Sequence, residues 1–259
     1  MGAVIHSSGN SLRANSKRII PPVDPTGFKG IFLFGDSVAQ SVRNYAGGAD
    51  LVVTGNPVIA SDGQGLMLRE AVDYLTTGFT QDVNSTIIVM FQAQAQATFP
   101  LSTYPGPRLG DATKNDAVGS GVQMFNSAGN VGVHGFIGTW DGATAGSAST
   151  LLTSPVPSAA PPAGSYRMFG VRSVAGVAPA TVTVDDLTAG TKSSRSAAAG
   201  QVLDRTTRTY RIGSSYQTTA QPAVKTLGAF IISRILTDGE MATMYQWMKG
   251  YWARRGIAI

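Results

Sequence analysis

Cysteine is absent from the 259 residues, which excludes disulfides, thiol nucleophiles and Cys-ligated metal sites. Histidine occurs only twice, at His6 and His134, so base-assisted hydroxyl chemistry has two candidates for its base. Long apolar runs are missing as well. No window approaches the roughly 18 apolar residues of a spanning helix, and the N-terminal stretch MGAVIHSSGNSLRANSKRII has no apolar core of about 7–15 residues such as a secretory signal needs. Met1-Gly2 opens like a myristoylation site, yet position six is His6 rather than Ser or Thr, which argues against it. Without disulfides a secreted protein of this size depends on its core alone, so the expected setting is cytosolic or phage-assembled. Charge is also scarce, at 14% of residues against 43% hydrophobic ones. That balance is too apolar for disorder and too polar for a membrane protein.

What remains is a chain long enough to remove roughly three quarters of its unfolded surface from water and punctuated by 31 glycines. Residues 1–27 are polar and aperiodic, with SSGNS and PPVDP, and read as an arm or linker of the kind that packs on a neighbour in an assembly. From Phe28 to Ile259 short β-type runs alternate with Gly, Asn, Asp and Pro, among them GIFLFGD, DLVVTGNPVI, NVGVHGFIG, SYRMFGVRSV and LGAFIISRIL. With no long helical pattern between them, these predict a single all-β domain over 28–259, an antiparallel β-sandwich or jelly roll. STIIVMFQAQAQATF begins as a continuous apolar strand and passes into alternation, which predicts one face on the core and one in solvent for its later part. Residues 141–164, small and proline-rich, predict a long exposed loop. One helix closes the chain. Thr237 and Glu240 have capping-box spacing, Met241, Met244, Tyr245, Met248 and Trp252 follow at helical spacing, and Gly256 supplies a left-handed stop.

The net charge of +5 is densest around Arg205, Arg208 and Arg211. In an extended strand Arg205 and Arg211 share one face and Arg208 takes the other. That pattern lacks the convergent basic stripe of a nucleic-acid groove, so neither a nucleic acid nor a membrane is an expected partner.

Gly35-Asp36-Ser37, at the end of the apolar run IFLF, is similar to the nucleophile block of SGNH esterases. Such an enzyme needs a histidine oriented by an aspartate, placed by that family in a D-x-x-H block near the C-terminus. Here Val131 stands three residues before His134, and no histidine follows. Ser37 therefore reads as part of a turn that ends a strand, and an esterase is the weakest of the readings kept. Glycosidases need two carboxylates flanking one bond, but Asp185 and Asp186 are adjacent and point to opposite faces of a strand. No catalytic residue is assigned and no cofactor is expected.

The order RIGSSY (211–216), LGAFIISRIL (227–236) and TDGEMATMYQW (237–247) resembles the C-terminal strand, strand and capped helix of the concanavalin A-like lectin/glucanase fold, including laminin G-like domains. The resemblance covers residues 28–259. Where that family often carries Y-x-D-G, this chain has Val184, Asp185, Asp186 and Leu187. The polar arm, the lack of cysteine and the wealth of small residues also look like virion components of tailed bacteriophages. That second likeness implies a non-enzymatic structural or adhesion protein of the virion, partnered by other virion proteins and by itself as a homo-oligomer such as a trimer. It would contact host polysaccharide; a glycan-active hydrolase on the same fold is the alternative.

A glycan site needs an aromatic platform beside hydrogen-bonding groups. Trp140 with Asp141, in GTWDGAT, is the first candidate, and Tyr104 with Arg108, in STYPGPRLGD, the second. Loop packing is the competing reading for all four. Asp111 and Asp116 are weighed as calcium ligands without being assigned a metal, and His134 reads as an ordinary strand residue.

Overall fold

The computed structural model describes residues 18–155, 161–174 and 178–259. Two antiparallel sheets face each other. The first runs in the order β13 (Thr191–Ser196), β12 (Thr181–Asp186), β11 (Tyr166–Val174), β6 (Ser85–Gln92), β16 (Val224–Ile232), β4 (Leu66–Leu68) and β3 (Val58–Ile59), with β1 (Phe28–Leu33) also on β16. The second runs β10 (Thr150–Pro155), β9 (Asn130–Trp140), β8 (Ser120–Ser127), β7 (Thr98–Ser102), β15 (Thr209–Ile212), β5 (Tyr74–Thr80) and β2 (Val52–Thr54), with β14 (Val202–Leu203) on β9.

The core between the sheets is filled by alternate residues of facing strands, such as Val89 and Phe91, Val122 and Met124, Val131 and Val133, and Phe169 and Val171. Sheet one is covered on its other side too. Helix α1 (Val38–Ser41) is short, while α2 (Asp238–Ala253) lays Met241, Met244, Met248 and Trp252 on Ile88, Met90, Met168 and Phe230. Central strands buried on both faces must be apolar at consecutive positions, which accounts for IIVMF in β6 and LGAFII in β16. The capping box joins Thr237 and Glu240 as expected, and Gly256 holds φ +77° beyond the helix. Glu240 also takes two hydrogen bonds from Arg234; these hold its carboxyl down at about 2.

Two expectations fail. The alternating QAQAQ segment is not strand: β6 stops at Gln92 and β7 starts at Thr98. Residues 93–97 carry the chain from one sheet to the other, with Ala93 N–H bonded to Ser165 C=O and the Gln96 side-chain amide to Pro222 C=O. The loop expected over 141–164 contains β10, paired with β9 from Thr150↔Thr139 to Pro155↔His134. The short run TLLTS suffices for an edge strand once a long neighbour offers its free side; residues 156–160 of that stretch lie outside the described part.

In the N-terminal segment, residues 1–17 and with them His6 lie outside the described part. Ile19 donates its amide to Tyr45 C=O, and Ile19 and Val23 pack against the core beneath α2. Gly35-Asp36-Ser37 ends β1. Ser37 is the N-cap of α1, its hydroxyl accepting from Gln40 N–H at 3.2 Å, and Asp36 receives Arg255 at 3.3 Å. Asp185 and Asp186 do point apart: Asp185 takes two hydrogen bonds from Arg172 toward the helix side, and Asp186 pairs with Arg167.

Candidate functional site

Among the described residues no helix covers the outer face of sheet two, and that face carries rings. Val131, Val133 and Ile137 of β9 enter the core, so the period of two turns His134 and Phe136 outward. Gln123 pairs with His134 across β8 and β9, and Phe125 lies 5.0 Å from the imidazole. Phe99, from β7, and Phe136 are almost fully buried in a small separate cluster with Val118, against which Tyr104 packs. Tyr104 stacks on Phe99 at 5.5 Å and meets Phe136 edge-on at 6.0 Å. Beside these rings is a cavity of about 240 Å³, lined by Phe99, Tyr104, Gln123, Phe136, Leu151 and Gln217. Leu151 stands 49% exposed at its wall.

His134 is held neutral. Burial among rings lowers it from the usual 6.5 to about 4, and among the described residues its Nε2 has no hydrogen-bond partner.

The four residues selected from sequence separate into two groups. Tyr104 belongs to the aromatic floor. Arg108, Trp140 and Asp141 form a loop lock. Arg108 is 2% exposed; its Nε and Nη2 donate to the two oxygens of Asp204 at 2.8 and 3.0 Å, Nη1 to Asp111 at 3.2 Å and Nη2 also to Ser147 C=O at 2.8 Å. Its guanidinium lies 4.0 Å over the Trp140 ring. The hydrogen bonds to Asp204 raise its pKa against the opposing effect of burial. Asp141 accepts from the amides of Ala143 and Thr144, both at 3.0 Å, and these bonds lower its carboxyl to about 2. Arg108 thus ties the loop that carries Tyr104 to the 141–149 loop, and Ser149 Oγ accepts from Val118 N–H under the aromatic cluster.

Asp111 and Asp116 do not converge. Asp111 accepts from Gly146 N–H, from Thr113 and from Arg108, and lies at about 2, chiefly through the Gly146 bond. Asp116 pairs with Lys114. Among the described residues no group of three or more His, Asp or Glu could hold a metal ion.

The alternation expected for the arginines is also corrected. Arg208 precedes β15, which begins at Thr209, and the register slips between Thr209 and Arg211 against β5. The 205–211 run is therefore not one extended strand, and Arg208 and Arg211 both reach the ring of Tyr216, at 4.7 and 3.6 Å. Arg211 also lies 4.3 Å over Tyr74. Tyr216 is held by its amide on Tyr104 C=O at 2.6 Å and by its hydroxyl on Thr209 C=O at 2.9 Å, so the ladder of rings and guanidinia adjoins the aromatic floor.

Beneath both parts sits Glu70, 2% exposed. It accepts from Ser215 N–H and Ser215 Oγ, from Ser214 Oγ and from Phe99 N–H; burial nevertheless raises its pKa. One carboxylate thereby fixes both Phe99 and the turn bearing Tyr216 and Gln217. Sequence reading missed Phe136, Phe99, Gln123, Gln217 and the Tyr216 ladder. The available signal was in VGVHGFIG, where aliphatic residues fill one parity and His134 and Phe136 the other.

No family model matches the chain, and no curated protein sequence matches it significantly. Solved structures do resemble it in fold. The binding domain of botulinum neurotoxin serotype D has TM-score 0.54 at 10% identity, covering 84% of this chain and 52% of that one. Trypanosoma rangeli sialidase has TM-score 0.52 at 15% identity, covering 90% of this chain and 36% of that one. The chain spans about half the length of the toxin domain and little more than a third of the sialidase. At these identities the likeness establishes the fold alone, an antiparallel β-sandwich of the jelly-roll type.

Proposed function

We propose that this domain binds a saccharide, without cleaving it, on the outer face of sheet two, in the cavity between Tyr104, Phe136 and Gln217. The observation that carries the reading is the pairing of ring edges and faces from Phe99, Tyr104 and Phe136 with the side-chain amides of Gln123 and Gln217. Sugar C–H faces stack on rings, and primary amides both donate to and accept from hydroxyls. Among the described residues the cavity lining contains no carboxylate, whereas most glycosidases place two beside the scissile bond; this supports a binding role over the hydrolase alternative. The phage-like composition and polar N-terminal segment support a setting on a virion surface as a homo-oligomer that meets host polysaccharide, with a trimer the first assembly to test.

The test is a glycan array probed with the whole chain. Binding to at least one oligosaccharide class is expected, weakened about tenfold or more by Tyr104→Ala and by the exposed Gln217→Ala. Circular dichroism spectra should stay unchanged. Absence of binding to any glycan overturns the reading, and release of reducing ends from a bound glycan replaces it with the hydrolase.

A further inference from the structure

The Arg208–Tyr216–Arg211–Tyr74 ladder gathers two guanidinia on one tyrosine ring. Arg69, Arg108, Arg167, Arg172, Arg234 and Arg255 each have a carboxylate within ion-pair distance. Among the described residues Arg208 and Arg211 have none, although both guanidinia approach a single ring. Two like charges on one ring repel each other, while each gains from its contact with the ring. Glu70 makes no ion pair with either of them among the described residues: its oxygens accept from Ser214, Ser215 and Phe99. Arg211 gives Nη1 to Ser215 C=O at 2.8 Å and lies between two tyrosine rings, so it is fixed in place. Arg208 is exposed and lies against Gly106, where a Cβ would fall 2.3 Å from its Cγ. The chain thus leaves room for one aimed, solvent-facing guanidinium beside a second, held one.

We infer that this ladder is an anion subsite of the saccharide site, and that the natural ligand is an acidic saccharide whose carboxylate or sulfate docks on the exposed Arg208 guanidinium, with the charge of Arg211 on the same ring adding to the attraction. The inference rests on the saccharide reading above. Planar guanidinia suit the paired oxygens of such groups, and Tyr216 links the ladder to Tyr104 through their backbone hydrogen bond.

The experiment measures binding of uronic-acid oligosaccharides beside their carboxyl-reduced neutral counterparts, and of sulfated oligosaccharides beside desulfated ones, with a single-stranded oligonucleotide as a further anionic ligand. The wild-type chain is expected to prefer one acidic class about tenfold or more over its neutral form, and Arg208→Gln to remove that preference while leaving neutral binding unchanged. Whichever pair shows the preference identifies the anion. Equal binding of acidic and neutral forms overturns the inference and leaves the saccharide reading standing. A preference that survives both Arg208→Gln and Arg211→Gln overturns the assignment to these residues, and tighter binding of the oligonucleotide than of every saccharide overturns the ligand class. Absence of saccharide binding overturns both readings.

Discussion

Ser215 gives Glu70 both its amide and its hydroxyl, each at 2.6 Å, across 145 positions of sequence. The contact ties the chain just after β4 to the turn after β15, and through Phe99 it reaches the aromatic floor as well. Removing the carboxylate would leave buried donors without an acceptor, at a cost of about 1–3 kcal/mol for such a group. Glu70→Ala is expected to lower the melting temperature clearly, and Glu70→Gln, which keeps an acceptor, to lower it less; equal effects would show that packing rather than hydrogen bonding makes the contact matter.

The buried Arg108–Asp204 pair makes a second prediction. Truncating one member strands the other charge, typically at about 3–5 kcal/mol. Asp204→Ala should therefore destabilise strongly under urea. Trp140→Ala removes only the ring under the guanidinium and should cost less, about 1 kcal/mol beyond its lost packing.

His134 predicts a pH dependence. Its folded pKa is about 4 against an ordinary 6.5, so between those values the unfolded chain takes up a proton that the folded chain refuses. Stability is complete above about pH 6.5 and is lost as pH falls toward 4, by up to about 3 kcal/mol. His134→Phe should flatten this part of the curve. Asp111, Asp141 and Glu240, all lowered to about 2, give a separate loss only below their ordinary values near 4. Thermal melts across pH 3–8 separate the two windows.

Ser37 caps α1 and is expected to behave as a cap. Ser37→Ala should cost about 1 kcal/mol, and a fluorophosphonate should not label the wild-type protein. Labelling at Ser37 would restore the esterase reading.

The sandwich was legible because IIVMF, LGAFII and the strands around them are set by short-range periodicity, and the helix because Thr237, Glu240 and the Met–Trp stripe are local signals. The QAQAQ crossover and β10 were not, since both depend on which sheet the neighbouring chain joins. Of the candidate site, Tyr104 could be picked out as a loop aromatic. Arg108 and Trp140 could not be separated from it, because the partner that buries Arg108 is Asp204, far along the chain. The Tyr216 ladder was hidden by a register slip, which no alternation rule anticipates.

The central claim is that sugar meets the outer face of sheet two. A crystal structure of the chain soaked with its best array ligand tests this directly. The account predicts a pyranose ring against Tyr104 with hydroxyls bonded to Gln123 and Gln217; a sugar seated elsewhere, such as the groove between α2 and the β12–β13 turn, would contradict it.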